Sequence, residues 1–158
     1  MLGAMRKRVM GPDDSRSPLA DRPAREEVAL LESTMARPEF STSVAVRHLP
    51  EQSDRDKGQF AFAYTVTIKN SGDVTAQLIA RHWIVSDASG HVEEVRGLAV
   101  VGHQPILKPG ESFEYTSWTR IATPNGTMRG TFLCMTEDAH PFDAPIAEFG
   151  LTLASALH

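Results

Sequence analysis

The sequence contains little cysteine and no long apolar segment. Its single cysteine, Cys134, excludes an internal disulfide and is typical of a protein from a reducing compartment. No apolar run approaches the roughly 20 residues that span a bilayer. Residues 11–14, which follow the basic cluster at residues 6–8, are too polar for the core of a secretory signal. We therefore expect a cytoplasmic protein with no membrane partner.

Positive charge is not in excess either. The 158 residues carry 16 Lys and Arg against 20 Asp and Glu, which gives a formal net charge of −4. A nucleic-acid-binding domain normally presents a basic face, so we expect no nucleic-acid partner. The length fits one domain with a substantial core, and 41% hydrophobic with 23% charged residues is ordinary for a globular chain.

The first 38 residues differ in composition from the rest. They contain no aromatic residue and are rich in Pro, Arg, Asp and Ser. Such a segment buries too little apolar area to offset its ordering entropy. The pattern predicts a flexible tail over residues 1–38, with at most one short helix at residues 23–36. Met35 is an alternative start of the native protein, and the sequence leaves this open.

A two-residue period predicts strands over residues 39–158. Residues 60–69 alternate strictly between apolar and smaller or polar side chains, and residues 77–86 are apolar on both faces, which favours a central strand. A turn at residues 87–90 then leads into a hairpin partner at residues 92–95. The second half repeats this rhythm, with a strand at residues 128–135 and a last strand in which Phe149, Leu151 and Leu153 alternate. Seven or eight short strands separated by turns indicate an all-β fold, an antiparallel β-sandwich of fibronectin type III or immunoglobulin type.

Two glycines, Gly97 and Gly102, have the spacing of a phosphate-binding loop. The residues that follow, His103 and Gln104, stand where such a loop needs Lys and Ser or Thr. A dinucleotide fingerprint needs a third glycine, but position 99 is Ala99. We interpret the segment as a glycine-kinked strand. A nucleotide or polyphosphate binder of the diadenosine tetraphosphate type, using these amides with Arg81, Arg96 or His103, remains the alternative.

Metal and catalytic patterns are incomplete. None of the six histidines pairs with another at three- or four-residue spacing. Direct divalent-metal binding by residues from distant strands stays open, although we interpret His82 as a hydrogen-bonded interior residue beside a buried Trp83. Cys134 lies in a predicted strand, where a thiol is usually inert. Glu93 and Glu94 are expected to be solvated near a turn. We therefore expect no enzyme, no cofactor and no metal site.

An exposed aromatic residue completes the candidate surface. Trp118 is predicted at a strand end, where an aromatic side chain often anchors an interface, although covering the edge of the core is an equal alternative. The predicted contact surface comprises Arg81, Arg96, Gly97, Gly102, His103, Gln104 and Trp118. The expected occupant is a protein partner whose identity the sequence does not give, and a weak homodimer is also open.

Seven short motifs occur in order between residues 43 and 153. They are Phe62-Ala-Tyr64, Ala80-Arg-His-Trp83, Val100-Val-Gly102-His-Gln-Pro105, Pro109-Gly-Glu111, Phe113-Glu-Tyr-Thr-Ser117, Thr123-Pro-Asn-Gly126 and Met128-Arg-Gly130. Together they resemble the ApaG family, also called CorD. The chain departs from the family at Ala99, where a glycine is usual, at Trp118, where a small residue is usual, and in its long tail.

The resemblance implies both a fold and a role. The family has a fibronectin type III-like sandwich, is associated with cobalt and magnesium tolerance, and has no established enzymatic activity. Its bacterial genes neighbour a diadenosine tetraphosphate hydrolase, and its glycine motif was once interpreted as pyrophosphate-binding. In eukaryotes the module is attached to F-box proteins and to a polymerase-interacting protein. The resemblance therefore implies protein–protein recognition.

Overall fold

A computed structural model describes residues 36–153, which form two antiparallel sheets of three and five strands. The strands are β1 (Phe40–His48), β2 (Phe60–Asn70), β3 (Ala76–Asp87), β4 (Val92–Leu98), β5 (Ile106–Leu107), β6 (Ser112–Ile121), β7 (Asn125–Thr136) and β8 (Pro141–Thr152). Two single-turn 3-10 helices, Pro50–Gln52 and Arg55–Lys57, lie between β1 and β2. None of the helices in this part of the chain has the length and apolar character needed to cross a membrane.

The predicted sandwich is confirmed. One sheet has the order β1-β2-β6 and the other β4-β3-β7-β8, with β5 paired to β3 beyond the end of β4. The helix predicted at residues 23–36 lies, except for its last residue, outside the described residues. The domain boundary predicted at residue 38 stays a prediction.

The β2 strand shows how the alternation builds the core. Its inward side chains, Phe60, Phe62, Tyr64, Val66 and Ile68, are all buried. The opposite face is not fully solvated, because Ala61 and Ala63 are buried with Leu49 in a second small cluster. The Leu49 amide donates to the Ala61 carbonyl over 2.8 Å. The small side chains of these two alanines leave room for Leu49 to cover this face.

The β3 strand is central, as predicted. It pairs with β7 along one side and with β4 and β5 along the other. Trp83 lies in the core, where its ring meets Phe132 edge-on with centroids 6.1 Å apart. The pairing register shifts at Ile79, which is the extra residue of a β-bulge between Leu78 and Ala80. Trp83 therefore continues on the inward face on which Leu78 lies.

Two strand predictions were incomplete. The short strand β5 was missed, because two residues give no periodic signal. The last strand begins at Pro141, earlier than expected, and contains Pro145. Proline is acceptable here because β8 is an edge strand, where a missing amide does not break a central ladder.

We expect a methyl group at Gly130 to destabilise the fold. Its Cβ would collide with the His82 carbonyl oxygen and would lie 2.8 Å from the Trp83 ring. Gly130→Ala should lower the free energy of unfolding by about 2 kcal/mol in urea titrations. The matched control is Gly150→Ala, whose Cβ would meet only Thr152 Cγ2, at 4.0 Å, and which should change stability by less than about 0.5 kcal/mol. Equal effects of the two substitutions would contradict this account.

We also expect Cys134 to be chemically silent in the folded protein. The side chain is fully buried, and burial raises the pKa of its thiol to about 12. Because the thiolate is the reactive form, a thiol reagent at mildly alkaline pH should modify it only after unfolding. The thiol ionises less readily in the folded than in the unfolded protein. Its contribution to the free energy of unfolding is therefore fully present below the ordinary thiol pKa and is lost as the pH rises toward about 12. Rapid labelling of the native protein would contradict the burial.

Candidate functional site: a kinked hairpin beside an exposed groove

The segment between β4 and β5 forms a tight hairpin. Val100 and His103 exchange backbone hydrogen bonds of 2.8 and 2.9 Å. The two residues between them have positive φ angles, 49° at Val101 and 81° at Gly102, which is the geometry of a type I′ turn. A short strand rather than a helix follows, but the segment is a hairpin turn between two strands and not the glycine-kinked strand that we predicted. Sequence reasoning missed Val101, whose branched side chain rarely adopts this conformation.

The hairpin is fixed to the bulge in β3. Val100 is fully buried in the core. The Ile79 carbonyl accepts hydrogen bonds from the Ala99 amide at 2.8 Å and from Gln104 Nε2 at 2.9 Å. In turn, Gln77 Nε2 donates to the Gln104 carbonyl over 3.0 Å. Gln104 is therefore a tether for the hairpin.

Arg81 and Gly97 act together on the inward face. Arg81 Nη1 donates to the carbonyls of Leu98 and Ala99 over 2.8 and 2.9 Å. A Cβ at Gly97 would lie 2.9 Å from that same nitrogen. Glycine at position 97 leaves the space that the guanidinium occupies, and a side chain there would displace it. The guanidinium is thus already committed to the hairpin carbonyls.

The backbone amides of the hairpin are also largely committed. Those of Ala99, Val100 and His103 donate to the carbonyls of Ile79, His103 and Val100. The His103 ring packs against Phe113, with centroids 5.5 Å apart. A phosphate cradle needs several convergent free amides, so this arrangement weighs against polyphosphate binding.

An exposed groove of about 550 Å³ lies on the outer face of the five-stranded sheet. Strand pairing places Leu98, Ala80, Leu133 and Asp143 in one row across β4, β3, β7 and β8. Leu98 is 64% exposed and Leu133 42% exposed. The row is therefore an apolar strip that ends in a carboxylate.

A polar cluster flanks that row. Glu94 Oε1 lies 2.9 Å from His82 Nε2 and 3.1 Å from Arg96 Nη2. These contacts, the His82 hydrogen bond first, hold the pKa of Glu94 below its usual value. The interpretation of His82 as an interior residue was wrong, because its position in β3 alternates with the inward Trp83. Glu94 is exposed as expected, but it lies within β4 and is paired.

Trp118 is separate from this surface. It lies inside β6 rather than at a strand end, paired with Ala63, and is 51% exposed. The Arg120 guanidinium stacks over its ring at 5.3 Å. Trp118 lies on the outer face of the three-stranded sheet, whereas the groove lies on the outer face of the five-stranded sheet. The two are therefore on opposite sides of the sandwich. The structure brings the other six predicted residues together around β4 and the hairpin.

The described residues, 36–153, contain no group of three His, Cys, Asp or Glu side chains placed to hold a metal ion. The His82–Glu94 pair comes nearest to such a group at the groove, and Arg96 donates to the same carboxylate oxygen as His82 contacts. A cation is repelled there by the guanidinium, so the groove is poorly suited to a divalent metal.

Relief of the strain at Val101 should stabilise the protein. Val101→Asn creates the Asn-Gly pair that type I′ turns favour, and asparagine enters the left-handed region at low cost. We expect the free energy of unfolding to rise by about 1 kcal/mol in urea titrations. Gly102→Ala, at φ 81°, is the matched control and should lower it. A fall in stability for Val101→Asn would contradict the assigned turn.

Comparison with known proteins agrees with this geometry. The profile of the ApaG domain family matches residues 50–136. The chain is 58% identical to the ApaG protein of Ralstonia nicotianae over 124 residues, which is 78% of this chain and the whole of that protein. It is 56% identical to ApaG of an Acidovorax strain, over 74% of this chain and 87% of that protein. A crystal structure of the Bordetella pertussis ApaA protein matches with a TM-score of 0.71 at 55% identity, covering 73% of this chain and 94% of that one. The chain therefore belongs to the ApaG family.

Proposed function

We propose that this chain is a non-enzymatic, cytoplasmic ApaG module that binds a protein partner through the hairpin and the groove. Any contribution to cobalt and magnesium tolerance would then be indirect, through that partner. The contact surface comprises Arg96, Leu98, Val101, Leu133 and Asp143. The observation that carries the proposal is the exposed apolar row beside a strained hairpin.

The exposed apolar row supports this proposal, because keeping apolar side chains in water is unfavourable. Leu98 and Leu133 keep large apolar side chains in water on one continuous strip. Exposed apolar strips rimmed by polar groups are typical of interaction sites. Asp143 and the Arg96–Glu94 pair supply that rim.

The rigidity of the hairpin also supports the proposed partner binding. Val101 projects an exposed apolar side chain from a turn whose base is fixed by Val100 in the core and by the Ile79 carbonyl. Backbone strain of this kind clusters at functional sites. A rigid apolar tip loses little conformational entropy on binding, which favours affinity.

The polar groups of the groove fit binding better than catalysis. His82 and Arg96 both bind Glu94 Oε1, and the Cys134 thiol is buried on the other side of the sheet. A general base has to reach a substrate proton. Charges that are paired with one another instead suit the rim of an interface.

Cross-linking in cells followed by mass spectrometry tests the proposal. The wild-type chain should capture a reproducible partner at native concentration, and Leu133→Asp and Val101→Asp should each weaken that complex at least about tenfold. Trp118→Ser is the control and should retain the partner, because its side chain lies on the opposite face. Capture that survives both aspartates but is lost with Trp118→Ser would overturn the surface. Saturable heat on titration with diadenosine tetraphosphate, lost in Arg96→Ala, would favour polyphosphate binding instead.

A further inference from the structure

The edge strand β4 combines exposure, apolar side chains and paired charges. Every residue of Val92–Leu98 except Gly97 is exposed. Val92 is 55% and Val95 40% exposed, and Leu98 extends the apolar set to the strand's end. Open strand edges are usually protected by charge or twist because they template pairing with another chain. The charges on β4 are arranged in a way that permits one particular pairing.

The backbone groups of β4 that do not pair with β3 belong to its even-numbered residues. The Asp87 amide donates to the His91 carbonyl, and the Ala99 amide donates to the Ile79 carbonyl. Because hydrogen-bonded positions alternate along an antiparallel pair, residues 91, 93, 95, 97 and 99 direct their backbone groups toward β3. Residues 92, 94, 96 and 98 therefore direct theirs toward the open edge.

We propose that a second copy of this chain pairs with β4 in antiparallel orientation, about a two-fold axis at Val95. In this register Val92 lies opposite Leu98 of the second copy, and Glu94 lies opposite Arg96. Both pairs join even-numbered residues, so each can exchange two backbone hydrogen bonds. The Leu98 carbonyl already accepts from Arg81 and would use its second lone pair. Val95 meets Val95 of the second copy at the axis. The interface is isologous, as two-fold symmetry requires.

The side chains agree with this register on both faces. On the outer face each Glu94 lies opposite an arginine of the second copy, and symmetry repeats the contact. On the inner face Glu93 of the second copy lies opposite Gly97, where the Arg81 guanidinium occupies the missing side-chain space. The apolar residues meet apolar residues. Opposite charges and apolar pairs across strands are the stabilising units of a sheet.

Neighbouring registers are disfavoured. A one-residue slip joins even-numbered to odd-numbered positions and mismatches the backbone groups. Moving the axis to Glu94 opposes the two glutamates, and moving it to Arg96 opposes the two arginines. Like charges directly opposite one another are destabilising. The axis at Val95 is therefore favoured over the axes at Glu94 and Arg96.

The other open edge of the same kind, β6, lacks this selectivity. An axis at Ser117 places Glu114 opposite Arg120, but axes at Thr116 or Trp118 oppose no like charges either. Its large exposed apolar residue, Trp118, is already covered in part by Arg120. These observations favour β4 over β6.

A charge exchange tests the pairing in the full-length protein. Glu94→Arg and Arg96→Glu should each weaken the dimer about tenfold in sedimentation equilibrium, because each opposes like charges twice. The double substitution Glu94→Arg with Arg96→Glu should restore the dimer. Thermal unfolding of each variant checks that the fold is intact. Failure of the double variant to recover, or a wild-type chain that stays monomeric at high protein concentration, would overturn the proposal.

A cross-link tests the axis directly. Val95→Cys should form a disulfide-linked dimer under mild oxidation, because the Cα atoms of a non-hydrogen-bonded pair lie about 4.5 Å apart. Ser117→Cys, at the corresponding axis of β6, is the matched control and should not cross-link. Efficient cross-linking through Ser117→Cys, without cross-linking through Val95→Cys, would show that the two copies pair through β6 and not through β4. The buried Cys134 does not interfere.

This inference can be tested separately from the proposed partner surface, although Arg96 and Leu98 belong to both. Leu133→Asp lies on β7 and should leave the dimer unchanged while weakening the partner complex. Glu94→Arg should dissociate the dimer in a purified sample with no partner present. A dimer that is lost in Leu133→Asp would show that the groove, rather than the β4 edge, joins the two copies.

Discussion

The arrangement of the hairpin depends on one interaction, the contact of the Arg81 guanidinium with the carbonyls of Leu98 and Ala99. An arginine on the inward face of a strand requires acceptors, because a buried unpaired charge is costly. Carbonyls at the end of β4 supply them only if the chain passes close by, and Gly97 makes that approach possible. The positive charge also lies near the core hydroxyls, where it partly offsets the rise that burial causes in the pKa of Tyr64 and Tyr115. One side chain thus joins the edge of the sheet, the hairpin and the interior.

Much of the fold was predictable because alternation is a local signal. The β2 strand is apolar at every second residue and follows the pattern closely, and β3 is apolar on both faces because it is central. The missed strand β5 is held by pairing with β3 rather than by its own pattern. The burial of Ala61 was missed for a related reason, because it depends on where residues 49–57 fold back.

The candidate site was predictable in position but not in detail. The glycine spacing indicated irregular backbone at this place, although as a kinked strand rather than a hairpin turn. His103 and Gln104 stand where a phosphate loop needs Lys and Ser or Thr. The positive φ angle of Val101 has no sequence signal, since valine is among the residues least suited to it. The groove depends on which of two alternating faces points outward, and a shift of one residue reverses that choice. His82 was misplaced by that ambiguity, and Leu133 was overlooked because its partners lie on other strands.

The extra residue at Ile79 has a consequence for insertions and deletions in this family. Leu78 and Ala80 pair with the adjacent residues Cys134 and Leu133, so removal of the Ile79 codon would leave a regular strand in which every later side chain of β3 keeps its face. Trp83 would still point into the core, and the histidine and isoleucine beside it would stay on the outer face. The hairpin would lose the Ile79 carbonyl, which accepts from Ala99 and Gln104. Loss of this single codon should therefore preserve the inside and the outside of the sheet, and its cost should fall on the attachment of the hairpin.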